Sequence, residues 1–92
     1  MEVRASHILV DDERTAEKIR KEIIDEGKSF EEAAKKHSNC PSSKKGGDLG
    51  FFGRGKMVPP FEKAVFDMEE GDISEPVKTQ FGWHLIKKTG EK

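Results

Sequence analysis

The 92-residue chain has a single cysteine, so it cannot close an intramolecular disulfide. That thiol and three histidines fall short of the spacing of a structural zinc site, and no metal or cofactor is expected. No apolar run approaches the ~18 residues of a membrane span. The opening Met1-Glu2-Val3-Arg4 leads into no apolar stretch of the secretory kind, so a reducing, cytoplasmic setting is the expectation. A charge of one sign is missing too: 17 basic residues face 18 acidic ones, for a net charge of −1. No global field then draws the chain to nucleic acid or a membrane surface. The basic residues Lys35, Lys36, Lys44, Lys45, Arg54 and Lys56 leave room for a local patch only.

What the chain does have is charge of both signs. Charged residues make up 38% and the apolar set 33%, against about 25% charged in ordinary globular domains. The reading is one folded, heavily solvated domain over residues 1–92, with a single core and room for one cleft.

Val3–Val10 carries β-branched residues with weak alternation and is halted by Asp11-Asp12, which predicts a strand. Ala16, Ile19 and Ile23 recur at helical spacing, so residues of about 12–26 predict a helix closed by Gly27. Ser29-Phe30-Glu31-Glu32 fits an S-x-x-E capping box and starts a second helix to about Ser38. Asn39–Ser43 is a turn-rich break with room for one short helical turn. The glycine-rich stretch 46–55 holds Leu49, Phe51 and Phe52, which predicts a short strand between tight turns and not a linker. Pro59-Pro60 opens a third helix, with Phe61, Ala64, Val65 and Met68 on one face. Pro76–Thr79 and Trp83–Lys87 form a closing hairpin around Gln80-Phe81-Gly82. The order β, α, α, β, α, β, β is that of an α+β domain.

Three features carry possible chemistry. His7 and His84 lie on the first and last strands, so their rings can meet if those strands are neighbours. Cys40 sits where a helix gives way to a loop. Leu49, Phe52, Met57, Phe61 and Phe81 cluster around the glycine run. Each has a plainer reading. A strand histidine is more often a satisfied core residue than a catalyst. A lone cysteine is usually a small buried hydrophobe. Phe and Met at helical spacing are more often core than pocket.

The order of the motifs separates these readings. Ala5-Ser6-His7-Ile8-Leu9 is followed by Cys40-Pro41-Ser42 and by Gly46-Gly47-Asp48-Leu49-Gly50. Met57-Val58-Pro59-Pro60-Phe61 comes next, and Thr79-Gln80-Phe81-Gly82-Trp83-His84-Leu85-Ile86 closes the series. Together, across essentially the whole chain, these resemble the parvulin family of peptidyl-prolyl cis/trans isomerases, in a minimal form without accessory segments such as a WW-type module. The resemblance implies a four-stranded antiparallel sheet surrounded by about four helices, an FKBP-like arrangement, with the cleft on one face. It implies catalytic positions at His7, Cys40, Thr79 and His84. It implies a proline pocket of Leu49, Met57 and Phe61, with Phe52 nearby. It further implies a monomer acting on proline-containing peptides and unfolded or flexible protein clients.

Two departures from that pattern bear on specificity. Val58 and Phe81 stand where polar residues are common, which makes the cleft more apolar. The loop after the first strand reads Asp11-Asp12-Glu13-Arg14, where phosphate-specific members carry a basic cluster. Acidic groups there repel a phosphorylated Ser/Thr-Pro segment, so activity without phospho-specificity is expected. The rival readings are a proline-peptide binding module of the same fold without catalysis, and a Cys-His thiol enzyme, for which 92 residues leave little room.

Overall fold

The computed structural model describes all 92 residues, Met1–Lys92. Strand β1 (Val3–Val10) leads into helices α1 (Glu13–Glu26) and α2 (Phe30–His37), then a short 3-10 helix (Pro41–Lys45) and strand β2 (Asp48–Phe52). Helix α3 (Pro59–Phe66) precedes strands β3 (Val77–Thr79) and β4 (Gly82–Glu91). The four strands form one antiparallel sheet in the order β2-β1-β4-β3. The first and last strands of the chain are therefore its two central strands.

Central position explains the weak alternation of β1. Both of its faces are covered, so apolar residues serve on each. Ile8 and Val10, with Leu85 of β4, pack against Ala16, Ile19 and Ile23 of α1 and Phe30 and Ala34 of α2. Val3, Ala5 and Ile86 point the other way, against Phe52, Phe61 and Val65. The sheet thus carries two cores, and α3 covers the second.

The helix ends follow their local chemistry. Asp12 caps α1 by accepting the Thr15 N–H at 2.8 Å, and Gly27 closes it in the left-handed region at φ 71°. Ser29 caps α2 by accepting the Glu32 N–H at 3.2 Å. Its hydroxyl also lies 3.3 Å from Glu31, so the expected box is closed on the Ser29 side only. Pro59 and Pro60 occupy the first turn of α3, where no N–H is needed.

Two boundaries differ from the sequence reading. Helix α3 stops at Phe66, short of Met68, because the chain tightens there: the Met68 N–H turns to the Val65 carbonyl three residues back at 3.2 Å. Met68 still packs against the second core. Strand β4 runs on to Glu91, beyond the expected Lys87, because Val3 and Arg4 supply partners for Glu91 and Gly90. This extension includes Lys88, 2% exposed, whose ammonium donates to the Met68 carbonyl at 2.9 Å and to Glu91 at 2.6 Å. A buried lysine is tolerable when its donors are met in this way.

Candidate active site

Pairing of β1 with β4 sets Leu9 opposite His84 and His7 opposite Ile86. His7 and His84 are thus diagonal neighbours on the face that α3 covers, a separation that ring side chains can bridge. Their Nδ1 atoms lie 3.0 Å apart and their rings are stacked, with centroids 5.2 Å apart. The Phe61 ring stands edge-on to both, with centroids at 5.6 Å from His7 and 5.3 Å from His84. The glycine run fixes the backbone here. Gly47, at φ 86°, offers its carbonyl to the His7 N–H at 3.0 Å. A Cβ at Gly47 would collide with the His7 carbonyl.

The pair is tied down at both outer nitrogens. Thr79 Oγ1 lies 2.7 Å from His84 Nε2, and Ser42 Oγ lies 3.2 Å from His7 Nε2. Thr79 Oγ1 also accepts the Phe81 N–H at 3.1 Å. Proton counting sets the direction of this chain. The Phe81 amide can only donate, so the buried Thr79 hydroxyl has His84 Nε2 as the acceptor for its own proton. His84 then carries its proton on Nδ1 and donates to His7 Nδ1. His7 in turn carries its proton on Nε2 and donates to Ser42. The opposite direction leaves the Thr79 proton without an acceptor.

Both imidazoles are held neutral. Burial, and after it the proximity of the second imidazole His84, push the His7 pKa down to about 4. Burial lowers His84 as well. Geometry points the same way, since two imidazoliums would set two N–H groups against each other across 3.0 Å.

Above the pair opens a cleft of about 490 Å³. Its lining joins His7 and His84 to Cys40, Leu49, Met57, Phe61 and Phe81, all named from the sequence. Phe81, 61% exposed, forms the rim. One expected member stands elsewhere. Phe52 does not line the cleft; it is buried beneath Phe61, ring centroids 6.3 Å apart, because alternation along β2 turns Phe51 out and Phe52 in. Thr79 sits behind His84 and reaches the cleft only through it. Cys40 lines the cleft but stands outside the hydrogen-bonded histidine network. Its backbone N–H donates to Ser38 Oγ at 3.4 Å, but its thiol makes no hydrogen bond. The hydroxyl that meets His7 belongs to Ser42, two residues on, carried there by the 3-10 turn after Pro41. Sequence reasoning missed Ser42, and its only signal was its place in the Cys40-Pro41-Ser42 motif.

The pattern of the Rotamase family, the PPIC-type PPIase domain, matches residues 7–90. The chain belongs to that family. The parvulin resemblance read from its motifs therefore holds. Foldase protein PrsA 1 of Bacillus cereus is 55% identical over 92 residues, which is 99% of this chain and 32% of that protein. The chain spans about a third of the length of the curated foldases it matches. The solved peptidylprolyl isomerase PrsA of Bacillus anthracis superposes with a TM-score of 0.95 at 51% identity, over 99% of this chain and 42% of that one. NmPin, the parvulin of Nitrosopumilus maritimus, is 42% identical with a TM-score of 0.86, and the match covers 97% of this chain and 96% of that one. The four-stranded sheet with its surrounding helices is thus the parvulin fold. Within it, all four imidazole nitrogens of His7 and His84 are engaged, by each other, Ser42 and Thr79. In this parvulin cleft no imidazole nitrogen is left to act as a base for the Cys40 thiol.

Proposed function

We propose that the chain catalyses cis/trans isomerisation of Xaa-Pro bonds in peptides and in unfolded or flexible protein segments, and so assists their folding. The observation that carries this reading is one cleft in which the apolar residues Leu49, Met57 and Phe61 face a neutral, fully hydrogen-bonded imidazole pair. The names of the similar foldases and isomerases agree with it.

The reaction needs no covalent step. Amide resonance sets a barrier of about 18–20 kcal/mol, and the X-Pro bond has only a modest trans preference. Turnover follows when the twisted amide binds better than either planar form. Leu49, Met57 and Phe61 hold the proline ring. The twisted amide has less charge separation than the planar one, so a cleft with little polar surface favours it. Neutral imidazoles keep the floor free of net charge. His7, His84, Thr79 and Ser42 then preorganise that floor, and Cys40 and Phe81 shape the wall and rim. Each ~1.36 kcal/mol taken from the barrier is a tenfold gain in rate.

Specificity follows from the charges nearby. Lys56 is the only charged side chain lining the cleft. Asp11 holds Asn39, a lining residue, through a 3.2 Å hydrogen bond. Asp12 is occupied in capping α1. No basic cluster is present to select a phosphate, so we propose action without phospho-specificity. A protease-coupled assay over Xaa-Pro peptides tests both points. Turnover of unphosphorylated peptides at least equal to that of phosphoSer-Pro peptides is expected. A clear gain in kcat/KM on phosphorylation contradicts the specificity. Peptide binding without any rate gain supports the non-catalytic module.

A further inference from the structure

The loop between β2 and α3 carries three lining residues of the cleft, Lys56, Met57 and Val58. It has almost no internal support. Among the backbone amides of Arg54–Met57, that of Gly55 is the one held by a side chain, the Glu62 carboxylate, whose Oε1 accepts it at 2.6 Å. Gly55 sits in the left-handed region at φ 87°, where the turn needs a glycine. The second carboxylate oxygen of Glu62 lies 3.5 Å from the Arg54 guanidinium, which covers the Phe66 ring at 4.3 Å. Glu62 directly follows Phe61, and its own N–H donates to the Val58 carbonyl at 3.0 Å. One residue of α3 therefore grips the loop at its middle by side chain and at its end by backbone.

We infer that Glu62 is a positioning residue for the proline slot, acting through Gly55 to hold Met57 against Phe61. Three physical points support the assignment. A carboxylate accepting a backbone N–H is among the stronger hydrogen bonds. Glu62 lies in the first turn of α3, where the helix dipole favours a negative charge. With Glu62 the one side chain that holds residues 54–57 by hydrogen bonds, through the Gly55 amide and the Arg54 guanidinium, loss of its carboxylate frees the Met57 wall while Phe61 stays fixed in the core. The slot then widens, and the proline ring loses contact on one side.

The inference rests on the isomerase reading for its substrate, so its test uses binding and amide exchange beside rate. In the wild-type chain, hydrogen exchange by NMR reads the latch directly: the Gly55 amide is expected to be protected although its residue is exposed. Glu62→Ala removes the acceptor, and Glu62→Gln keeps one carboxamide oxygen at the same reach. The expected result is at least tenfold faster Gly55 exchange in Glu62→Ala, with a three- to tenfold weaker Kd for a Xaa-Pro peptide. KM rises and kcat changes less than twofold, and Glu62→Gln restores affinity to within twofold of wild type. An unprotected Gly55 amide in the wild type overturns the inference, whatever the variants do. So does a folded Glu62→Ala chain with wild-type affinity, or a Glu62→Gln chain as weak as Glu62→Ala. A wild-type chain that binds the peptide without catalysis contradicts the isomerase reading and leaves the latch to be judged on Kd and exchange alone.

Discussion

The Thr79 hydroxyl and His84 Nε2 lie 2.7 Å apart, the shortest link in a chain of side chains running from the Phe81 amide to Ser42. Because the other partner of that hydroxyl is an N–H, which can only donate, the proton of Thr79 has His84 Nε2 as its acceptor, and the direction passes down the chain. His84 is therefore in the Nδ1–H form and His7 in the Nε2–H form. Long-range 1H–15N correlation spectra at pH 7 distinguish the two tautomers through the ring-nitrogen shifts. Nε2–H on both rings, or the reversed assignment, contradicts the chain as derived.

Acid acts on this pair in a definite direction. His7 titrates near 4 when folded and near 6.5 when unfolded, so between those values the unfolded chain binds more protons. Stability then falls as pH drops from about 6.5 to about 4, by roughly 3 kcal/mol from His7. His84, lowered by burial, adds in the same sense. Above about 6.5 neither ring contributes a slope. Urea midpoints across pH 4–8 check this, and the acid-side slope should shrink in His7→Ala. An acid limb equal in wild type and His7→Ala would place the titration elsewhere.

Contact between the rings makes their mutations non-additive. His7→Ala leaves His84 Nδ1 and Ser42 without their partner, and His84→Ala leaves His7 Nδ1 and Thr79 so. Each orphaned buried group costs roughly 1–3 kcal/mol. The double variant removes both rings and orphans no imidazole nitrogen, so its loss should be less than the sum of the singles. Chemical denaturation of the four chains of the cycle measures this, and strict additivity would mean that the 3.0 Å contact carries no energy.

Cys40 contributes shape and polarity to the cleft wall. Cys40→Asp should keep isomerase activity within about tenfold, and Cys40→Ala should lose some of it, since no proton relay reaches the thiol. Intact mass after turnover should show no substrate adduct. An inactive, well-folded Cys40→Asp chain together with a trapped adduct on wild-type Cys40 would restore the thiol mechanism.

Much of this site is written in residue order, and the reasons for the exceptions are physical. His7 and His84 were legible because they sit on the first and last strands, and the fold makes those strands neighbours. The slot residues Leu49, Met57 and Phe61 were legible from the motifs around them. Phe52 turns inward near the slot but lies behind Phe61 and not in the cleft, a depth that residue order does not report. Ser42 was missed because a single 3-10 turn decides which side chain faces His7, and no periodicity reports it. The polar end of β4 was invisible because Gly90 and Glu91 have little strand propensity of their own and are paired through Arg4 and Val3.

The most direct test of the isomerase account is NMR exchange spectroscopy on an Ala-Phe-Pro-type peptide at equilibrium, with and without the chain. Wild type should speed cis/trans exchange by orders of magnitude. Met57→Ala and Phe61→Ala, shown folded by unchanged circular dichroism, should each lower kcat/KM by tenfold or more. Phe61→Ala will also lose about 3–5 kcal/mol of stability as a buried aromatic, so it is compared below its own melting transition. Exchange unaltered by the wild-type chain, or a folded Phe61→Ala chain as active as wild type, contradicts the account.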